Sequence, residues 1–176
     1  MKNETIKTFD FNIDVSVYQN EFDNLDWNYL NKLQEKMILK SSGLFKDMAH
    51  LPVGFDKAIV LKFLNKETNL YNMFYDEEFF KPILDYFGDQ SKISNIFFNL
   101  LEKNTKILPH IDPIIGKLYR RIHIPIVTND KVLFINAGHV VNMKEGRAYE
   151  IDNSKTHAVN NASDKDRIHL VIDYYE

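Results

Sequence analysis

The stretch ILPHIDP, residues 107–113, carries two side chains that bind protons and metals, His110 and Asp112, inside an otherwise apolar run. In extended backbone, residues two apart point to the same face, so the imidazole and the carboxylate project side by side. The pair alone fits a strand end with two polar tips as well as part of a metal site. His157, in DNSKTHAVNNASDKDRIHLVID, is a candidate third ligand. Two histidines and one carboxylate cover one face of an octahedral ion and leave the other positions open, as an oxygen-activating Fe(II) needs. A structural zinc site would instead be closed by four protein ligands.

Arg167 follows His157 by ten positions. Along 167–173 the pattern alternates: Arg167, His169, Val171 and Asp173 share one face, and Ile168, Leu170 and Ile172 the other. An arginine at the start of an apolar strand is costly to bury without an anion, and its planar fork suits a carboxylate. It either anchors an anionic ligand, or snorkels to the surface, or pairs with an acid such as Asp173. LYRRIHIPIV repeats the logic. Tyr119, Arg121, His123 and Val127 fall on one face, and Leu118, Arg120, Ile122, Ile124 and Ile126 on the other. If the aliphatic face packs on helices, Tyr119, Arg121 and His123 line a pocket; if the sheet is reversed, they face water. His169 is a further candidate for the pocket. His50 and His139 read as solvated polar residues, Trp27 as core, and Asn153, Asn160 and Asp164 as loop and turn residues.

The elements that must position these groups differ between the two halves. TFDFNIDVSV alternates with period two and predicts a strand. Phe22, Leu25, Tyr29, Leu33 and Met37 recur at steps of three and four, predicting a helix over 22–40 that ends at SSG, residues 41–43. AIVLKFL at 58–64 reads as a strand, and DEEFFKPILDYFG as a helix with acids at its start, Gly88 at its stop and a kink or restart at Pro82. From residue 93 onward, short apolar runs alternate with turn residues, as in a sandwich or barrel of antiparallel strands. The expected architecture is mainly β with a helical first half: a single domain over 1–176, with 1–90 as helix-rich support and first strands and 91–176 as the core, the helices packed on one sheet.

The chain has 176 residues and a net charge of −3, enough for a substantial core and without the basic surface a nucleic acid would need. It has no cysteine, which excludes disulfides, zinc thiolates, iron–sulfur clusters and a thiol nucleophile. MKNETIKTFDFNIDVSV is too polar for a signal or transit peptide, and no apolar run is long enough to span a bilayer. The expectation is a soluble, cytoplasmic protein with no membrane or nucleic-acid partner.

PHID, RRIHIPI and DNSKTHAVNNASDKDRIHLVID together resemble the aspartyl/asparaginyl β-hydroxylase family of Fe(II)- and 2-oxoglutarate-dependent dioxygenases, which includes hydroxylases of free proline. KEGRAYEIDN and ISNIFFNLLEKNTKILPHID extend the likeness, which is clear over about residues 80–173. The resemblance implies a double-stranded β-helix of the jelly-roll or cupin kind. It implies Fe(II) bound by His110, Asp112 and His157, and 2-oxoglutarate held at its distal carboxylate by Arg167. Arg121 and His123 would face the co-substrate or substrate, and Tyr119, Arg121 and His169 are substrate-side candidates. With O2, such a site would hydroxylate an amino acid, free or in a peptide, and release succinate and CO2. Some members lack the carboxylate ligand; Asp112 makes this chain look like those with a complete triad. The chain also stops three residues after Asp173, so substrate cover is expected from residues 1–79, from loops or from another subunit. The alternatives are a non-catalytic barrel that binds a metal or small ligand, and a metal-dependent isomerase or lyase.

Overall fold

The computed structural model describes residues 6–30, 58–63, 66–67, 70–112 and 119–175. Eleven strands are described: β1 (Ile6–Asn12), β2 (Ala58–Phe63), β3 (Lys66–Glu67), β4 (Ile93–Leu101), β5 (Thr105–His110), β6 (Tyr119–Val127), β7 (Val132–Asn136), β8 (His139–Val141), β9 (Arg147–Ile151), β10 (His157–Asn161) and β11 (Arg167–Tyr175). They form two antiparallel sheets, one of seven strands in the order β1-β9-β6-β11-β4-β2-β3 and one of four in the order β5-β10-β7-β8. From β4 onward the chain passes from one sheet to the other and back, with the β7–β8 hairpin counted as one visit. That alternation is the winding of a double-stranded β-helix.

The large sheet has two differently filled faces because its central strands alternate. Ile96, Phe98 and Leu100 of β4, Ile122, Ile124 and Ile126 of β6, and Ile168, Leu170 and Ile172 of β11 enter one apolar cluster with the helices. The helices include α1 (Ser16–Phe22), α2 (Tyr71–Phe74) and α3 (Glu77–Phe87). Helix α3 begins at Asp76, whose carboxylate accepts from the Phe79 N–H at 2.7 Å. It runs unbroken through Pro82 and stops at Gly88, at φ +82°. Its start is tied to α1 by Tyr18, whose hydroxyl donates to the Phe74 carbonyl at 2.5 Å and accepts from the Asp76 N–H at 3.2 Å. The opposite face looks at the small sheet across a second cluster that includes Phe134, Met143, Tyr149, Ile151 and Val159.

Three expectations shift. The first strand ends at Asn12 and Ser16 starts a helix, so Val15 and Val17 lie outside the strand. Asp14 ends the alternation, accepting the Ser16 N–H at 3.0 Å. The helix expected over 22–40 is broken: α1 closes at Phe22, residues 27–30 are helical again, and 31–57, with the SSG stop and His50, lie outside the described residues. Val127 packs with the helix-side cluster and not on the face of Arg121 and His123. Its neighbour explains this: Ile168 pairs with Val127 and His169 with Pro125, leaving Ile126 as an extra residue, a bulge that turns the strand end. Gln19 of α1 donates to the Ile126 carbonyl at 2.7 Å. Close by, Gly146 (φ +70°) must be glycine, because a Cβ there would lie 2.3 Å from the Ile13 carbonyl oxygen. Among the described residues no helix is long and apolar enough to cross a membrane.

Candidate metal centre

His110 closes β5 and His157 opens β10, and the two are direct antiparallel partners. Partners across an antiparallel pair hold their Cβ atoms about 5 Å apart, and here the imidazole centroids are 4.3 Å apart. A bulge makes this pairing possible. Val159 pairs with Ile107 and His157 with His110, so β5 spends three steps where β10 spends two. The irregularity falls at Leu108–Pro109, where proline's missing N–H is no loss. Ile107 packs inward, Leu108 is exposed, and the bulge brings His110 back to the inside.

Asp112 follows, and its Oδ1 lies 3.4 Å from His110 Nε2 and 3.7 Å from His157 Nε2. One ligand atom from each residue falls within 4.8 Å of the others. Adjacent ligands on an octahedral ion with bonds of about 2.1 Å sit roughly 3 Å apart, so the two carboxylate–imidazole spacings are already close to those around an ion. The tautomers fit as well. His110 Nδ1 is 2.8 Å from the Leu108 carbonyl and His157 Nδ1 is 3.0 Å from the Lys155 carbonyl. A carbonyl only accepts, so each Nδ1 carries the proton and each Nε2 presents a lone pair to the cluster. Burial pulls the His157 imidazole below its ordinary pKa, against its bond to Lys155 and the Asp112 charge, and keeps that lone pair free.

The three groups open on a cavity between the sheets. Phe97, Ile107, Phe134, Val159 and Val171 supply apolar wall, and Asn99, Arg121, His123 and Arg167 supply the other polar groups. Arg167 is 1% exposed. Its guanidinium donates to Asn99 Oδ1 at 3.2 Å and to His169 Nδ1 at 2.6 Å, both neutral acceptors. Among the described residues no carboxylate pairs with it. Burial pulls its pKa down to about 9, which still leaves a full positive charge at neutral pH. Such a cation, desolvated beside a cavity, has the charge and the fork geometry to hold an anion.

His169 stands behind Arg167 and His123 beside it; their Nδ1 atoms are 3.5 Å apart. Burial, then the Arg167 charge, push both imidazoles far below the ordinary range. The unfolded chain takes up protons here near pH 6.5 and the folded protein does not. Their neutral forms therefore contribute full stability above about 6.5, and it is lost as pH falls below that value, by up to about 1.4 kcal/mol per histidine per pH unit. The urea midpoint of the ligand-free protein should drop between pH 7 and pH 5; a flat midpoint over that range would contradict the buried neutral pair.

Arg121 lines the cavity, but its fork is bonded to Asp173 and it also meets Asp112. Tyr119 opens β6, and its side chain lies outside the described residues. His139 is exposed and begins β8, and Trp27 is buried against Phe22. Asn160 is an exposed strand residue and not a turn former. The turn from β10 to β11 is held by Asn161, fully buried, which donates to the carbonyls of Leu101, Glu102 and Lys165 at 2.9–3.2 Å and accepts from Ser163. That bracket sets where β11 starts and hence where Arg167 sits. Asn161 and Asn99 gave no sign in the sequence beyond being polar at strand positions; Asp173, open there as a partner of Arg167, pairs with Arg121 instead.

A family model described as aspartyl/asparaginyl beta-hydroxylase matches residues 78–176, more than half of the chain. No curated protein matches the sequence. Similar solved structures include a 2OG-Fe(II) oxygenase family oxidoreductase from Burkholderia pseudomallei, 19% identical, with a TM-score of 0.49 over 68% of this chain and 66% of that one. A Cupin 2 conserved barrel domain protein from Salinispora arenicola is 12% identical, with a TM-score of 0.43 over 73% and 83% of the two chains. A predicted oxalate decarboxylase from Thermotoga maritima is 15% identical, with a TM-score of 0.39 over 58% and 76%.

Proposed function

The chain belongs to the aspartyl/asparaginyl beta-hydroxylase family, and from that premise we propose that it is an Fe(II)- and 2-oxoglutarate-dependent oxygenase that hydroxylates an amino acid, either free, such as proline, or a peptidyl side chain such as Asp or Asn. The observation that carries the reading is the buried Arg167, without a carboxylate partner among the described residues, on the same cavity as His110, Asp112 and His157. A metal-binding module without a co-substrate has no use for a desolvated cation there. A small dianion that spans the cavity uses both ends.

In this reading the Nε2 atoms of His110 and His157 and Oδ1 of Asp112 hold Fe(II) and leave its other positions open. When bound, iron and 2-oxoglutarate supply the oxidising chemistry, in which decarboxylation to succinate and CO2 is coupled to hydroxylation of a substrate C–H bond. The protein's own part is placement. Arg167 would hold the far carboxylate, its direction fixed by His169 and Asn99. Phe97, Phe134, Val159 and Val171 give the methylene chain apolar wall and keep water from the metal. His169 stays neutral, because burial and then the Arg167 charge disfavour its protonated form, so it accepts from Arg167 at Nδ1 and adds no second positive charge.

The test is direct. Anaerobic addition of Fe(II) and 2-oxoglutarate should produce a visible charge-transfer band, and air with a substrate should then release succinate. Mass spectrometry of amino acids and peptides after incubation should find one gaining a single oxygen. Neither a band nor succinate would point instead to a barrel that binds a metal or ligand without turnover.

A further inference from the structure

We infer that Arg121 is a positioning residue for Asp112, holding that carboxylate as a one-oxygen metal ligand, and does not bind a substrate carboxylate; the inference rests on the metal centre proposed above. Arg121 of β6 and Asp173 of β11 are direct cross-strand partners. Arg121 Nε donates to Asp173 Oδ1 at 2.7 Å and Nη2 to Oδ2 at 2.9 Å, a fork-on-carboxylate pair. Asp173 is fully buried, and Asn95 Nδ2 also donates to its Oδ2, at 2.9 Å. With one edge of the guanidinium fixed by the sheet, Nη1 points at Asp112 and donates to its Oδ2.

Asp112 needs such a hold. It lies beyond the end of β5, where no strand partner fixes its backbone. Its two oxygens are divided: Oδ2 goes to Arg121, and Oδ1 faces the Nε2 atoms of His110 and His157. A carboxylate tied in this way offers one oxygen to an ion, which keeps a further coordination position open. The charges are arranged to suit. A bare guanidinium this close would repel a divalent cation, but Asp173 cancels its charge, so that Arg121 supplies direction without net repulsion.

The test uses Mn(II) alone, without 2-oxoglutarate or oxygen, with the free ion followed by its EPR signal. The Arg121→Gln/Asp173→Asn double variant removes both charges together and leaves no lone buried carboxylate. It should fold with a cooperative melt and bind Mn(II) roughly ten- to a hundredfold more weakly than wild type, the usual cost of losing an outer partner of a metal ligand. A residue that merely braces β6 on β11 would lower the melting temperature and leave Mn(II) affinity alone, so a folded double variant with wild-type affinity overturns the inference. If the double variant does not fold, Arg121→Lys keeps a charge for Asp173 but loses the fork. Weaker Mn(II) binding is again the supporting result and unchanged binding the opposing one. Wild-type protein that takes up no Mn(II) overturns the metal centre itself and this assignment with it.

Discussion

The Arg167→Met protein should lose 2-oxoglutarate binding and yet melt at a higher temperature than wild type in the absence of ligand. The two effects have one cause. Arg167 is buried against Asn99 and His169, neither of which is charged. Burial pulls its pKa down to about 9, the signature of a charge held at a cost of several kcal/mol. Methionine fills most of the same space without a charge to desolvate, and replacing buried charged groups by apolar ones has stabilised other proteins by about 1–4 kcal/mol. A 2-oxoglutarate carboxylate left in that cavity without its cation loses about 2–5 kcal/mol, which is roughly thirtyfold to more than a thousandfold in affinity. Thermal melts and a charge-transfer titration on the same preparation read both quantities. A variant that melts lower and still binds the co-substrate would mean that Arg167 is a structural residue.

The His157→Ala protein should fail to bind Fe(II) or Mn(II) at concentrations that saturate wild type, and should release no succinate. His157 is the most enclosed of the three candidate ligands, 5% exposed, and its ring lies parallel to Phe134 at 6.3 Å. Its loss leaves two protein donors, and the affinity should fall by more than the roughly hundredfold that an outer-sphere partner costs. The exposed His139 is the control: His139→Ala removes an imidazole without touching the cavity and should bind metal as wild type does. Equal metal affinity in the two variants would remove His157 from the centre.

The strands from residue 93 onward are legible in the sequence because each has one face to hide in an apolar cluster, which makes the alternation strict. Ile122, Ile124 and Ile126 announce the helix-side face of β6, and Ile168, Leu170 and Ile172 that of β11. The residues opposite them, Arg121, His123, Arg167, His169 and Asp173, are then left facing the small sheet. Bulges are the first thing periodicity cannot foresee. The extra residue at Ile126 moves Val127 to the other side, and the one at Leu108–Pro109 decides whether His110 points in or out. The spacing of His110 and Asp112 was readable from strand geometry, but the turning of His110 inward is set by pairing with β10, a contact 47 residues away along the chain.

The start of α1 and the choice of partners were hidden for a different reason. The hydrogen bond from Ser16 to Asp14 competes with a strand pattern that is locally just as good, and the helix wins because Tyr18 and Phe22 find the core. Arg121 and Asp173 are each visible as a charged residue on a polar strand face, yet only the β6–β11 register pairs them. A free arginine and a neutralised one look the same in a sequence. Asn161 illustrates the remaining blind spot: a buried side-chain amide that gathers three carbonyls at a turn has the same letter as a solvated one.

The extra residue at Leu108–Pro109 separates the inheritance of the barrel from the inheritance of its chemistry. A β5 that ran on from Ile107 in plain register with every residue kept would carry His110 three steps along, keep the sandwich and its core, and turn the His110 imidazole out to solvent. Gain and loss of a reactive centre in this architecture thus turn on the register of one strand end, without a ligand residue ever being replaced. A relative that keeps every letter of His-x-Asp at this spacing but pairs β5 without the bulge would present the right signature and have no centre.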